Sequence, residues 1–486
     1  MTDAWAGVDL GTQSVRAIVL DELGEVVGSA AAPLTSVREG GRHEQDPGQW
    51  WTATRAVLRR ATAGLPAGTT IRALAVSGTS GTLVPVDPAG RPAGAAVMYD
   101  DRRGAGALPA VQEAGSAVWS RLGYRVQATW ALPKLVTLVR EGALGPGVRV
   151  AHQPDVVAAR LAGRPVPSDL SSALKTGADL DAIAWPTEVL AALGVPSEVL
   201  PGLAESGSVL GEVSAAAAGE TGLPAGCAIV AGTTDGCAAQ LSAGAVRPGE
   251  WNSVLGTTLV VKGVADERRT DPSGVVYAHR APFDGGWYPG GASSTGAGAV
   301  SAWLPGRDLD ALTRRAASLP GVPVAYPLVG TGERFPFVAD DAVALAPGTV
   351  PIPELPDEEA LAAIVWGTAF VERLAYERLA AAGYPVGDEV LVTGGGSRNP
   401  WWTAVRAEVQ QRTLLRPFHA EGAAGMALLA CAAGRGGEAP LLEAAAALLP
   451  AAEGVEPAPR RAEVEDAYAA FVLRLAERGW LGEEAA

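Results

Sequence analysis

The chain is 486 residues long, hydrophobic at 48% of its positions, and carries a formal net charge of −15. That length allows two or three domains of roughly 100–200 residues each, with large buried cores. The acidic balance and scattered basic residues argue against a nucleic-acid partner, because a phosphate backbone needs a positive face.

The N-terminal stretch reads as strand, turn, strand: residues 6–10, then 15–20, then a turn at Leu23-Gly24-Glu25 before Val26-Val27. Residues 50–63 have helical spacing, with Asp46-Pro47 as cap and first turn. Residues 71–76 form a buried strand and 83–86 continue after a small-residue loop; Asp87-Pro88-Ala89-Gly90 is a turn. Residues 148–151 are an apolar strand. Residues 227–230 are a short strand, followed by a helix over 236–245. Residues 251–264 read as a second hairpin that echoes 6–20, so two similar α/β lobes are expected. Residues 305–360 are Pro-rich and read as an irregular insertion. A long helix over 361–382, a strand over 389–393, a helix over 400–410 and a closing amphipathic helix over 463–478 complete the chain.

The 3 cysteines, Cys227, Cys237 and Cys431, form no CxxC pair, and an odd count argues against a secreted disulfide framework. No basic region followed by an apolar run opens the chain, and the Ala-rich run 441–449 is too short to span a bilayer. A cytosolic (cytoplasmic) protein with no membrane partner is the expectation. Basic residues are nearly all Arg; the lysines are Lys134, Lys175 and Lys262.

Three glycine-rich segments carry the chemistry. Phosphate groups need backbone N–H donors that approach without a Cβ in the way, and Thr or Ser hydroxyls add donors. Val8-Asp9-Leu10-Gly11-Thr12-Gln13-Ser14 fits, with Asp9 placed to hold Mg²⁺ through water; the plain alternative is a β-turn. Ala231-Gly232-Thr233-Thr234-Asp235-Gly236 puts Asp235 after an apolar strand at a helix start. There it serves as a helix N-cap, as a general base toward an attacking hydroxyl, or as both. Leu255-Gly256-Thr257-Thr258 follows. Thr393-Gly394-Gly395-Gly396-Ser397-Arg398-Asn399-Pro400 reads as a strand-to-helix corner or, ahead of that, as a place where a flat ligand lies on the backbone, with Asn399 offering donors and acceptors to a nucleoside. The polar run Tyr99-Asp100-Asp101-Arg102-Arg103 reads either as a solvated loop or as a polyol contact. A lone histidine such as His152 is more often structural. The P-loop pattern Gly-x-x-x-x-Gly-Lys is absent.

With these residues in hand, the chain resembles the FGGY family of carbohydrate kinases, within the actin, hexokinase and heat-shock chaperone ATPase superfamily. Residues 8–14, 231–236, 255–259 and 393–400 carry the resemblance, with Trp401 or Trp402 at the usual aromatic position and a Gly/Ala-rich helix over 421–429. Within the family the chain is most similar to the D-ribulose kinases of cyanobacteria and plants. The carrying segments include Ser77-Gly78-Thr79-Ser80-Gly81-Thr82, His152-Gln153-Pro154-Asp155 and Ser172-Ala173-Leu174-Lys175-Thr176-Gly177. Xylulokinases usually carry Gln-Met-His where this chain has Thr79-Ser80-Gly81, and Trp where it has Tyr99. The resemblance implies an α/β, two-lobed actin/hexokinase-like ATPase fold with ribonuclease H-like lobes and a central cleft. The N-terminal lobe would hold residues 1–243 and the C-terminal lobe 244–486, with the last helix able to pack back on the first lobe.

It also implies ATP and Mg²⁺ as cofactors, a small sugar as partner, and room for a homodimer. Asp235 would be the base. Asp9, Gly11, Thr12, Gln13, Gly256, Thr257, Thr258, Gly394, Gly395, Gly396 and Asn399 would hold the nucleotide. Ser80, Asp101, Arg103 and Asp235 would hold the sugar. The expected reaction is phosphorylation of D-ribulose to D-ribulose 5-phosphate. D-xylulose, L-ribulose or a pentitol is the enzymatic alternative, and a non-catalytic actin- or chaperone-like nucleotide switch is the alternative of another class.

Overall fold

The computed structural model describes residues 2–271, 273–283, 286–435 and 439–481. The chain divides into two compact units, one of Met1–Val246, His279–Tyr288 and His419–Pro450, the other of Arg247–Ala278, Pro289–Phe418 and Ala451–Ala486. Five helices matter most: α1 (Pro47–Ala63), α2 (Asp235–Ala243), α3 (Asp357–Ala381), α4 (Pro400–Gln410) and α5 (Gly422–Arg435).

The first unit is built on strands β1 (Thr2–Leu10), β2 (Ser14–Asp21), β3 (Val26–Pro33), β4 (Thr69–Gly78), β5 (Val209–Glu212) and β6 (Ala228–Val230), in the order β5-β6-β4-β1-β2-β3. β1 and β2 form the antiparallel hairpin that the apolar runs predict, closing at Leu10 opposite Val15. β4 lies parallel to β1 on its other side, with Ser77 opposite Asp9. α1 starts where the sequence puts it: Asp46 caps the helix by accepting from the Gly48 amide, and Pro47 occupies the first turn. Its apolar stripe, Trp50, Val57 and Leu58, is buried. α5 is apolar on every side and correspondingly buried over Ala423–Ala432. It presses on β1 so closely that a Cβ at Gly7 would lie 1.8 Å from the Ala423 carbonyl oxygen.

A second sheet is built on β7 (Trp251–Leu255), β8 (Leu259–Gly263), β9 (Tyr277–Arg280), β10 (Trp287–Ala292), β11 (Glu389–Thr393), β12 (Thr413–Arg416) and β13 (Glu453–Val455), in the order β9-β10-β8-β7-β11-β12-β13. β7 and β8 are an antiparallel hairpin and β11 runs parallel to β7, which repeats the β1–β2–β4 arrangement of the first unit. α3 buries one residue after another from Ala360 to Val371, in keeping with a core helix rather than a surface one.

Residues 305–360 depart from the irregular reading. Leu309–Ala316 is a helix, capped by Asp308, whose side chain accepts from the Ala311 amide. Further on, Glu333 is a buried anchor: its carboxylate accepts from Ser293 Oγ at 2.7 Å, Tyr326 OH at 2.7 Å and the Ser294 amide at 2.5 Å. Prolines hide this order from a periodicity reading, because the order comes from one carboxylate and not from a repeating face. The final helix, Ala462–Glu477, belongs to the second unit, and the segments that return to the first are His279–Tyr288 and His419–Pro450.

Candidate active site

In the first unit, Asp9 stands at the end of β1, where its carboxylate accepts from Ser77 Oγ at 2.7 Å. The N-terminal residue of α5 lies against it, since a Cβ on Gly422 would sit about 3 Å from both carboxylate oxygens. Burial pushes the Asp9 carboxyl up from its ordinary value; the Ser77 hydrogen bond and Arg16 oppose that shift, and Glu421 adds to it. The adjoining turn is held by its carbonyls: Gly11 N donates to Ser14 O, Gln45 Nε2 to Thr12 O and Leu34 N to Gln13 O. Among the described residues no group of three or more His, Cys, Asp or Glu side chains could cage a metal ion. One carboxylate beside a backbone turn suits Mg²⁺, which keeps most of its waters and takes its other ligands from phosphates. Asp9 is the residue that would hold it.

Asp235 is the first residue of α2, and the cap position falls to Thr234, which makes no capping side-chain bond. The N-cap reading of Asp235 is therefore corrected by one residue. Its Oδ1 accepts from the Gly236 amide at 2.8 Å. Thr234 is fixed twice: it bridges to Gly78 at the end of β4, and its hydroxyl and amide meet Ser171 Oγ at 2.9 and 3.3 Å. The Asp235 side chain reaches solvent, yet the surrounding protein desolvates it and pushes its carboxyl up to about 6. The charge of Asp9 adds to the shift, and the Gly236 hydrogen bond and Lys175 moderate it.

The acceptor-side residues separate. Ser80 Oγ is buried with no hydrogen-bond partner among the described residues. Asp101 is fully buried and fully engaged: Oδ2 accepts from the His43 amide at 2.7 Å and Arg103 Nη2 at 2.8 Å, and Oδ1 accepts from Arg103 N and Nε at 2.9 Å. Burial works against that charge, but the Arg103 and His43 bonds outweigh it and hold the carboxyl below its usual range. Arg103 also reaches Glu44 at 2.5 Å. Asp101 is thus fully used, and Arg103 is held by Asp101 and Glu44.

His152 is a core residue, with Nδ1 on Ser168 Oγ at 2.7 Å and Nε2 on Thr176 Oγ1 at 2.8 Å. Lys134 lies in no recognisable motif. It is fully buried, its Nζ donates to Gly81 O and Met98 O at 2.7 and 2.8 Å, and burial pushes it down to about 7.

In the second unit a pocket of about 390 Å³ brings together Gly256 and Thr257 from the β7–β8 turn with Gly395, Gly396, Asn399 and Trp402. Thr258 and Gly394 do not line it. Gly394 has φ +88°, and a Cβ there would sit 2.6 Å from the Leu255 carbonyl oxygen, so glycine is required to bring the strand end past β7. Asn399 caps α4, accepting from the Trp402 amide at 3.1 Å and donating to Thr313 Oγ1 at 2.8 Å. Trp402 faces this pocket, whereas Trp401 faces a larger surface hollow of about 800 Å³. A Cβ on Gly395 meets nothing within 4 Å. Gly395→Val should therefore fold normally and obstruct the pocket, weakening ATP binding by about 1–3 kcal/mol, or roughly 5- to 150-fold. Isothermal titration with ATP checks this, with the thermal midpoint as the control.

The chain matches the FGGY family of carbohydrate kinases in both halves, the N-terminal domain over residues 4–242 and the C-terminal domain over 252–434. It belongs to that family. A protein named xylulose kinase from Streptomyces coelicolor is 32% identical over 292 residues, which is 58% of this chain; the chain spans 58% of the length of that curated relative. Among solved structures, a xylulose kinase from Brucella ovis superimposes with a TM-score of 0.88 at 25% identity, covering 98% of this chain and 99% of the other. A xylulose kinase from Rhodospirillum rubrum gives 0.86 at 24%, covering 98% and 99%, and shows the same fold.

Proposed function

We propose that the protein transfers the γ-phosphoryl group of ATP to a hydroxyl of a ketopentose, with Asp235 as general base. The observation that carries this reading is Asp235 itself: a carboxyl held near the start of α2, open to solvent, and pushed up to about 6 by its surroundings. A base with that value is ionised at neutral pH and still accepts a proton readily. It would take the proton as the hydroxyl oxygen attacks the γ-phosphorus. The new O–P bond forms while the bond from phosphorus to the β–γ bridging oxygen breaks, and ADP departs with that electron pair. Mg²⁺, when bound through Asp9, would neutralise charge on the phosphate oxygens. The pocket at Gly256, Gly395 and Asn399 would bind the nucleoside end. A non-catalytic nucleotide switch has no use for a tuned carboxyl at this place.

D-ribulose is the proposed acceptor. Ser80 supports it: where xylulokinases usually carry Gln-Met-His, this chain offers a small hydroxyl with unspent hydrogen-bonding capacity. D-xylulose is the second reading, favoured by what the relatives are named. A coupled ADP-release assay over D-ribulose, D-xylulose, L-ribulose, pentitols, gluconate and glycerol decides between them. D-ribulose is expected to give the highest kcat/KM, and a clear lead for D-xylulose would reverse the order. Ser80→Ala is expected to raise KM for the sugar about 5- to 12-fold, the worth of one hydrogen bond of about 1–1.5 kcal/mol, with KM for ATP unchanged.

A further inference from the structure

We infer that Lys175 is a positioning residue of the acceptor site: its ammonium braces the Ser80 loop and balances negative charge beside Asp235 while the acceptor hydroxyl loses its proton. This rests on the kinase reading with Asp235 as base.

Composition makes the residue conspicuous. The chain has 38 basic Lys and Arg residues, of which three are lysine. Two of those three converge on one short loop. Lys134 Nζ donates to the Gly81 carbonyl, and Lys175 Nζ donates to the Ser80 carbonyl at 3.3 Å. A guanidinium is planar and forked, whereas an ammonium is a compact point charge with three donors. Carbonyl oxygens in a tight loop suit the second shape. Lys134 is sealed in and engaged by two carbonyls at short range; Lys175 is only half-buried.

The chain places Lys175 at the junction that fixes Asp235. Lys175 sits on the short 3-10 turn Leu174–Thr176, directly after the helix Leu170–Ala173. That helix supplies Ser171, whose hydroxyl holds Thr234. Thr234 in turn bridges to Gly78, at the start of the loop that Lys175 braces. Segments 78–81, 171–175 and 233–235 therefore meet at the first turn of α2. The charge of Lys175 is felt at Asp235, where it opposes both burial and Asp9. As the proton moves to Asp235, negative charge passes from the carboxylate to the attacking oxygen. A cation held on the Ser80 loop would favour the alkoxide that develops as the carboxylate loses its charge, without reorganising.

The test compares K175M, K175R and D235N with the wild type in the coupled ADP assay. Thermal midpoints and ATP titration establish folding. K175M is expected to lose about 10²-fold in kcat, the scale of removing one preorganised electrostatic group, with ATP affinity within twofold. K175R should recover part of that loss by restoring charge. If K175M does not fold, K175Q is read by the same criteria. A loss confined to KM for the sugar, with kcat preserved, would make Lys175 a loop prop and overturn the charge-balancing role. So would kcat within twofold of wild type while D235N is inactive. Near-native turnover by D235N would instead overturn the base assignment, and this inference with it.

Discussion

Asp235→Asn is expected to lower kcat by about 10²–10⁴, the usual range for loss of a general base, while ATP titration of the variant stays near wild type. Asparagine keeps the shape and the Gly236 amide contact through its carbonyl oxygen, so a loss of turnover reports lost basicity. The wild-type kcat/KM should fall as pH drops below about 6, because the reactive form is the ionised one and its carboxyl is pushed up to about 6 by burial and then by Asp9. The same shift has a stability consequence of definite sign. The folded state holds the Asp235 proton more tightly than the unfolded chain, whose carboxyl titrates near 3.8. Ionised Asp235 therefore disfavours folding above about pH 6, and that penalty fades as pH falls toward 3.8. Asp235→Asn removes it, so at pH 8 the variant should melt no lower than wild type. An inactive variant that melts well below wild type would mean that Asp235 is structural; an active one would mean that it is not the base.

Elements set by local rules read correctly from sequence. Asp46-Pro47 opens α1 because a cap and a fixed φ act within one turn, and Thr393 ends its strand because glycines follow. Lobe repetition is also visible, since each hairpin carries its own turn chemistry. The acceptor side is less legible. Asp101 and Arg103 look like a polar loop suited to a sugar, and in the fold they pair with each other across two residues and bind His43 and Glu44, which lie about sixty positions earlier. Lys175 lies in a segment that carries the resemblance but shows no role there, and only the meeting of three distant segments gives it a partner in Ser80 and an influence on the charge of Asp235. The Leu309–Ala316 helix escapes notice because prolines surround it, yet it supplies Thr313 to Asn399.

Glu372→Ala is expected to destabilise the protein by about 3–5 kcal/mol, the scale for stranding one charge of a buried pair. Glu372 on α3 and Arg406 on α4 are both fully buried, joined at 2.6 and 2.7 Å, and Arg406 Nη2 reaches Ser253 Oγ on β7 at 3.0 Å. One guanidinium thus ties two helices to the central strand whose end presents Gly256. The other helix begins with the Asn399 cap, so the clamp joins elements that carry Gly256 and Asn399 to the pocket they line. Removing the carboxylate leaves Arg406 charged with, among the described residues, the Ser253 hydroxyl as its remaining hydrogen-bond partner, since arginine does not surrender its proton in a protein. The double replacement Glu372→Met with Arg406→Met should behave differently. A buried pair exchanged for apolar side chains of similar size is often neutral or stabilising, so the double variant should melt well above Glu372→Ala. Thermal midpoints of the two variants, measured beside wild type, provide the check. A single variant that melts with wild type would show that the pair bears no net load. A double variant as unstable as the single one would show that the Ser253 bond, and not charge pairing, holds α4 against β7.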